Sequence, residues 1–387
     1  MGLENMISLI VRLNKENWHV ISIIGSPELE RFFDMVPVYK TILEENSVLY
    51  RLKPKFKIRN KLFTYILNSY RTLFILLKIL CSSHPRIIYT DKVVGLRNRI
   101  LRIISLFKGK FYVISTLHSP LKGFSKDYLL NALNDPEKRK FMGKKPGNFV
   151  PYNTGQYFGT FLIHSEFETE DMDIRGYPED RITIGYPKLQ RLWLDYVSDM
   201  KVCWDHERLE KEKSFIVVLL SSPGIYLFDE TDSCDNFLRE ILCVIRKFYK
   251  DELVVLKPKP YRTKVSSQWF EEVLDEFDDP RIIQTNIPTP FLALKTSMLL
   301  MMNDTTASFD FLVKEIPSII HTRYNEGFMK ICGGWFHQQL GVRRTSTAEE
   351  LEAAIKDVKY NCFCPMSIET MKQTISHEDH DEVFKIL

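Results

Sequence analysis

The chain has 387 residues, 44% hydrophobic and 27% charged, with 34 Gly and Pro together, which excludes disordered, collagenous and disulfide-stapled classes and is long enough for two domains. Its net charge of +3 hides an asymmetry: residues 51–110 carry fifteen Lys or Arg and one acid, Asp91, against 38 basic and 49 acidic side chains elsewhere. A basic half joined to an acidic remainder asks for a polyanionic partner, nucleic acid or anionic lipid.

In chain order, an amphipathic helix over 3–16 carries Glu4, Arg12, Lys15 and Glu16, a pattern of neither a secretory signal nor a transit peptide. A strand follows at 18–24. Next, Lys53, Lys55, Lys57, Arg59 and Lys61 lead into the apolar segment NKLFTYILNSYRTLFILLKIL, read as a helix over 60–81. Cations beside apolar area favour a lipid surface, and a core helix with outward Lys and Arg is the other reading. No zinc-finger spacing or aromatic RNA-binding motif supports nucleic acid. No stretch reaches 18 uninterrupted apolar residues, since Lys78 interrupts the run from Leu73 to Leu80, so an integral membrane protein is not expected.

A strand at 86–90, a helix at 94–108 and strands at 111–117 and 160–164 continue an alternation that predicts βαβ units and a parallel sheet. A Rossmann-like domain opens on a strand with a Gly-rich turn, whereas this chain opens on a helix; either that strand is missing or the true start lies upstream. Residues 198–213, SDMKVCWDHERLEKEK, form a polar linker or bridging helix. The pattern then restarts with strands at 215–222, 252–260, 281–285, 297–304 and 317–322 and helices near 234–250, 266–277 and from about 306. The expected architecture is α/β, two Rossmann-like domains facing across a cleft, over residues 1–197 and 214–387, with helices at the C-terminus.

Seven cysteines, at 81, 203, 234, 243, 332, 362 and 364, lack paired metal spacing, which fits a reduced cytoplasmic protein. Asp278 and Asp279 precede Pro280 and read as a helix end, so no metal site is expected.

In open α/β sheets, ligands collect at the carboxyl ends of strands. Those ends carry LHSPLKG with His118, HSEFETEDMDIRGYPEDRITIGYPK, KPKPYR, and NDTTASFDFLVKEIPSII; Ser222 closes the first strand of the second domain. Taken in order over residues 111–322, these segments resemble the CDP-glycerol glycerophosphotransferases of teichoic acid synthesis and, more broadly, the GT-B transferases of capsule and surface polysaccharide. That family carries WHGTPLK, a Ser-x-Phe segment running into GYPRND, an HP pair after a strand, and DYSSxxFD. The resemblance implies a nucleotide-linked donor and a hydroxyl acceptor.

Such a transferase must hold a phosphate leaving group and deprotonate its acceptor. Thr305 and Thr306, at a helix start, offer hydroxyls and N–H groups, and Thr305 is equally an ordinary N-cap. Lys257, Lys259 and Arg262, read as lying on a neighbouring strand end, add positive charge. Lys188, after Tyr186 and Pro187 where the domains meet, is read as facing the cleft. His118 is the candidate general base.

Departures from the family pattern shift the donor. Leu117, His118, Ser119 and Pro120 replace Trp-His-Gly-Thr-Pro in a shorter element, Lys259 replaces the histidine of the HP pair, and Asn303 and Asp304 replace Asp-Tyr. They favour a nucleotide-sugar co-substrate over CDP-glycerol, with no other cofactor. The reading is a cytoplasmic glycosyltransferase, peripheral at the inner face of an anionic membrane, acting on a lipid-linked or growing cell-surface glycan. A CDP-polyol phosphotransferase, a nucleotide-sugar epimerase and a non-catalytic partner subunit are the rivals.

Overall fold

Helix α1 (Gly2–Lys15) forms because its apolar residues recur at helical spacing. Ile7 and Val11 face one core and Leu9 and Leu13 another, all buried. Asn17, at φ 65°, stops the helix in the left-handed region that Asn tolerates. The computed structural model describes residues 2–24, 27–51, 70, 74, 77, 81, 86–90, 109–114, 160–164, 180–220, 233–258, 265–302, 305–324 and 340–374.

The Trp18 N–H closes the end of the helix on the Leu13 carbonyl at 3.0 Å, and strand β1 (Ile21–Ile24) starts three residues later than the apolar pattern predicts. It pairs in parallel with β2 (Val48–Arg51), reached through α2 (Pro27–Met35) and α3 (Pro37–Asn46). The strands β3 (Arg86–Thr90), β4 (Gly109–Ile114), β5 (Thr160–Ile163) and β6 (Arg181–Thr183) form a four-stranded parallel sheet in chain order. The 86–90 strand stands where expected, and the run expected from 111 begins at Gly109. Of the helices expected at 60–81 and 94–108, only Tyr70, Phe74, Leu77 and Cys81 are described, and they are helical; the rest lie outside the described residues.

A 3-10 turn (Pro187–Leu189) and α4 (Arg191–Asp199) lead into the stretch read as a linker or bridging helix, which contains the short α5 (Glu207–Lys211). It is strapped down. Lys295 Nζ donates to the carbonyls of Leu209, Glu210 and Glu212 at 2.9, 2.8 and 3.0 Å, and Asp205 accepts from Thr285 Oγ1 at 2.6 Å and the Asn286 N–H at 2.8 Å.

The second half comprises β7 (Phe215–Leu220), α6 (Ser233–Phe248), β8 (Val254–Pro258), α7 (Val265–Phe277), β9 (Ile282–Gln284), α8 (Thr289–Leu292) and β10 (Thr296–Met301). After β10 come a 3-10 turn (Thr306–Ser308), α9 (Phe309–Leu312), β11 (Ser318–His321), β12 (Arg343–Thr345), α10 (Ala348–Lys359) and α11 (Ile368–Thr374). All six strands are parallel, in the order β12-β11-β10-β7-β8-β9. Counted from β7, this is the doubly wound order 3-2-1-4-5-6 read from the other edge.

A parallel sheet covered on both faces needs apolar residues at every position of its central strands. In β7, Phe215, Val217 and Leu219 enter one core while Ile216, Val218 and Leu220 enter the other. Fully burying each such side chain stabilises by about 1.5–3 kcal/mol. The first core also takes Ile7 and Val11 of α1, Tyr39 and Ile42 of α3, and Trp193 and Val197 of α4. Apolar contact is therefore continuous from the N-terminal helices to the second sheet.

Candidate functional site

The strand order of the second sheet reverses between β10 and β7, so the crevice of a doubly wound fold opens at their carboxyl ends. Register defines one row there: Lys257 on β8 pairs with Leu219 on β7, Leu219 with Met301 on β10, and Met301 with Ile320 on β11. The sequence reading placed Lys257 on a strand neighbouring the one before Thr305. The structure corrects this, because β7 lies between them; two inter-strand steps of about 4.8 Å separate β8 from β10. Lys257 is 6% exposed, with Nζ donating to the Pro258 carbonyl at 3.2 Å.

Thr305 stands four residues beyond Met301 in extended backbone, at φ −150° and ψ 135°. Its Oγ1 accepts from the Ala307 N–H at 3.3 Å, and its carbonyl accepts from Ser308 Oγ at 2.6 Å. The helix expected from 306 is a 3-10 turn followed by one α-helical turn, so its dipole is that of a short element. Thr305 is thus an ordinary N-cap, and Thr306 is buried beside it.

Lys188 and Thr306, 118 positions apart, meet directly: Lys188 Nζ donates to the Thr306 carbonyl at 2.6 Å. The same ammonium lies 3.4 Å from Asp310 Oδ1, with both side chains almost fully buried, and Thr289 Oγ1 donates to Asp310 Oδ2 at 2.6 Å. Lys188 also sits 5.7 Å from the centre of the Phe309 ring. Its charge is engaged by Asp310, in contrast to the cleft-facing cation that the sequence suggested.

Aromatic contacts extend this cluster into the first half of the chain. His164, the first residue after β5, is fully buried and stacks on Tyr186, ring centres 5.0 Å apart and planes 12° apart. Tyr186 meets Phe309 edge-on at 5.4 Å. Gly185, at φ 69°, supplies the left-handed turn that carries the chain from Ile184 into Tyr186–Lys188. Arg12 NH1 fixes the next residues by donating to Gln190 Oε1 at 2.9 Å. The carboxyl end of β5 and the turn after β10 are thus joined through His164, Tyr186, Phe309, Lys188 and Asp310.

His118, Ser222, Lys259 and Arg262 lie outside the described residues. His164, Thr289 and Asp310 were not singled out from sequence. Asp310 carried a usable signal, an acid between Phe309 and Phe311 in an apolar segment that had to find a partner on burial. Among the described residues, no three His, Cys, Asp or Glu side chains are grouped to hold a metal ion, and no helix is long and apolar enough to cross a membrane.

No family model matches the sequence, and no curated protein matches it. Solved structures do. The crystal structure of Os79 from O. sativa in complex with UDP aligns at a TM-score of 0.51 and 12% identity, over 96% of this chain and 91% of that one. The fold is of the GT-B type, α/β with two Rossmann-like domains. UGT89C1 of Arabidopsis thaliana, complexed with UDP, aligns at a TM-score of 0.48 and 11% identity over 97% and 90% of the two chains. The UDP-GlcNAc 2-epimerase of Methanocaldococcus jannaschii, in complex with UDP-GlcNAc and UDP, aligns at 0.40 and 11% over 93% and 99%. At these identities the likeness is one of fold.

Proposed function

We propose that the protein is a glycosyltransferase that takes a sugar from a nucleotide-sugar donor and passes it to a lipid-linked or growing cell-surface glycan. The observation that carries this reading is the doubly wound second sheet with its β10–β7 switch point; the Thr305–Ser308 turn follows β10, and Lys257 ends β8, the strand beyond β7. A nucleoside diphosphate leaving group needs N–H donors and positive charge at such a point. In this reading Lys257 supplies charge beside the Thr305–Ser308 turn, and Lys259 and Arg262, next in sequence, add to it. The cradle works through side-chain cations, without a metal.

Residues 214–387 hold the donor, residues 1–197 meet the acceptor at the inner face of the membrane, and 198–213 connect them. His118 is the proposed base that takes the acceptor hydroxyl proton. The fold shared with Os79, a protein seen with UDP, makes a UDP-sugar the first donor to test.

The test is a thermal-shift panel of UDP-sugars, CMP-sugars and CDP-glycerol on the purified chain. A ligand at one hundred times its Kd stabilises by about 2.7 kcal/mol, readily seen as a raised Tm. Stabilisation by a nucleotide-sugar, followed by sugar transfer, supports the reading. Stabilisation by CDP-glycerol alone replaces it with polyol-phosphate transfer, and no stabilisation by any of them overturns it.

A further inference from the structure

Tyr70, Phe74, Leu77 and Cys81 are helical, and their spacing of four, three and four residues places them along one stripe of a helix. All four are exposed, with Tyr70 at 67%, Phe74 at 52% and Leu77 at 48%. Three large apolar side chains in a row on one helix face are a contiguous patch, unlike the single exposed apolar residues that any surface carries. These four positions are therefore on the solvent side of the helix.

The charge of the surrounding sequence says what covers it. Residues 51–110 hold fifteen Lys or Arg against Asp91 alone, five of those cations stand at alternate positions from Lys53 to Lys61, and Arg71 and Lys78 fall within the same segment as the stripe. A partner must therefore accept inserted aromatic and aliphatic side chains while presenting dense negative charge. An anionic bilayer surface does both.

We infer that the Tyr70–Phe74–Leu77 stripe is a membrane-docking face that inserts into the headgroup region of an anionic leaflet, whose lipid phosphates attract the Lys and Arg of residues 51–110. The inference rests on the membrane-side acceptor of the proposed function and does not depend on the donor.

The test is cosedimentation of the full chain with vesicles of phosphatidylcholine alone and of phosphatidylcholine with 30% phosphatidylglycerol, at low and at about 0.5 M salt. Wild-type protein is expected to pellet with the anionic vesicles and to be released by salt. The variant F74Q/L77Q, which loses two inserting side chains at exposed positions, is expected to bind them at least tenfold more weakly with an unchanged Tm. Y360Q, which removes an exposed aromatic elsewhere, is expected to bind as wild type. Equal binding by F74Q/L77Q and wild type overturns the inference, as does equal binding to neutral and anionic vesicles. So does a solution dimer that F74Q/L77Q dissociates, since a second copy would then be the occupant. Nucleotide-sugar titration of the same variant is read separately: lost vesicle binding with intact donor binding isolates the docking face, and the reverse isolates a failure of the proposed function.

Discussion

Substituting Lys188 with Met asks whether one buried ion pair clasps the two halves of the protein. The Lys188 and Asp310 side chains are 4% and 2% exposed, 3.4 Å apart, and the ammonium also donates to the Thr306 carbonyl at 2.6 Å. Methionine keeps an unbranched side chain of nearly the same length while deleting the charge and its cation–π contact with Phe309. Asp310 is then left as a buried carboxylate with Thr289 Oγ1 at 2.6 Å in place of a cation. Removing one partner of a buried pair costs about 3–5 kcal/mol, well above the roughly 1 kcal/mol or less of an exposed pair. For a domain the size of the second half, this lowers the Tm by on the order of 10 °C. Asp310→Asn added to Lys188→Met removes the stranded charge, and the double variant should recover part of the loss, with a coupling energy of about 2 kcal/mol or more. Guanidinium unfolding followed by tryptophan fluorescence measures wild type, both single variants (Lys188→Met and Asp310→Asn) and the double variant, since Trp193 and Trp204 sit in or against the core shared by the two halves. A loss below about 1 kcal/mol in Lys188→Met, or strict additivity in the double variant, would refute the reasoning.

Three further predictions concern stability. Thr347 caps α10, its hydroxyl accepting from the Glu350 N–H at 3.2 Å, so Thr347→Ala should cost about 1 kcal/mol in urea unfolding. Gly341 has φ 74°, and an added Cβ would lie 2.8 Å from Met366 Cβ; Gly341→Ala is therefore expected to destabilise by about 1–3 kcal/mol, measured in the same way. His321 is 1% exposed, with Nδ1 2.9 Å from Thr345 Oγ1 and Nε2 3.8 Å from Glu240, a carboxylate bound to Arg323 and Tyr324. Burial holds its pKa below the ordinary value near 6.5, outweighing the upward pull of Glu240. The unfolded chain therefore takes up the proton first as pH falls through about 6.5, and folded stability declines down to the depressed folded pKa, with a slope of at most about 1.4 kcal/mol per pH unit from this group. His321→Gln should flatten that part of the stability curve; an unchanged slope would show that the imidazole titrates alike in both states.

The second half was legible in sequence because buried parallel strands are written as unbroken apolar runs, such as FIVVLL and VVL, bounded by polar turns. Strands without that signature were missed: β12 is Arg-Arg-Thr, and β2 ends on Tyr-Arg. Helices α2 and α3 were missed because both are short and each begins at a proline, which reads as loop punctuation and serves here as a helix start. Spatial relations were the least legible part of the site. The sequence marked Lys188 and Thr306 separately, but it could not tell that the lysine would donate to that threonine's carbonyl, nor that β7 would stand between Lys257 and the Thr305 turn. Both depend on strand order and interdomain packing, which local periodicity does not encode.

The most direct test of the central claim is calorimetric titration of the best nucleotide-sugar from the panel into wild-type protein and Lys257→Met. Loss of one charge-assisted contact to a donor phosphate predicts about tenfold weaker binding in the variant with its fold intact. Equal affinity in the two proteins would contradict a donor phosphate bound at the carboxyl end of this sheet.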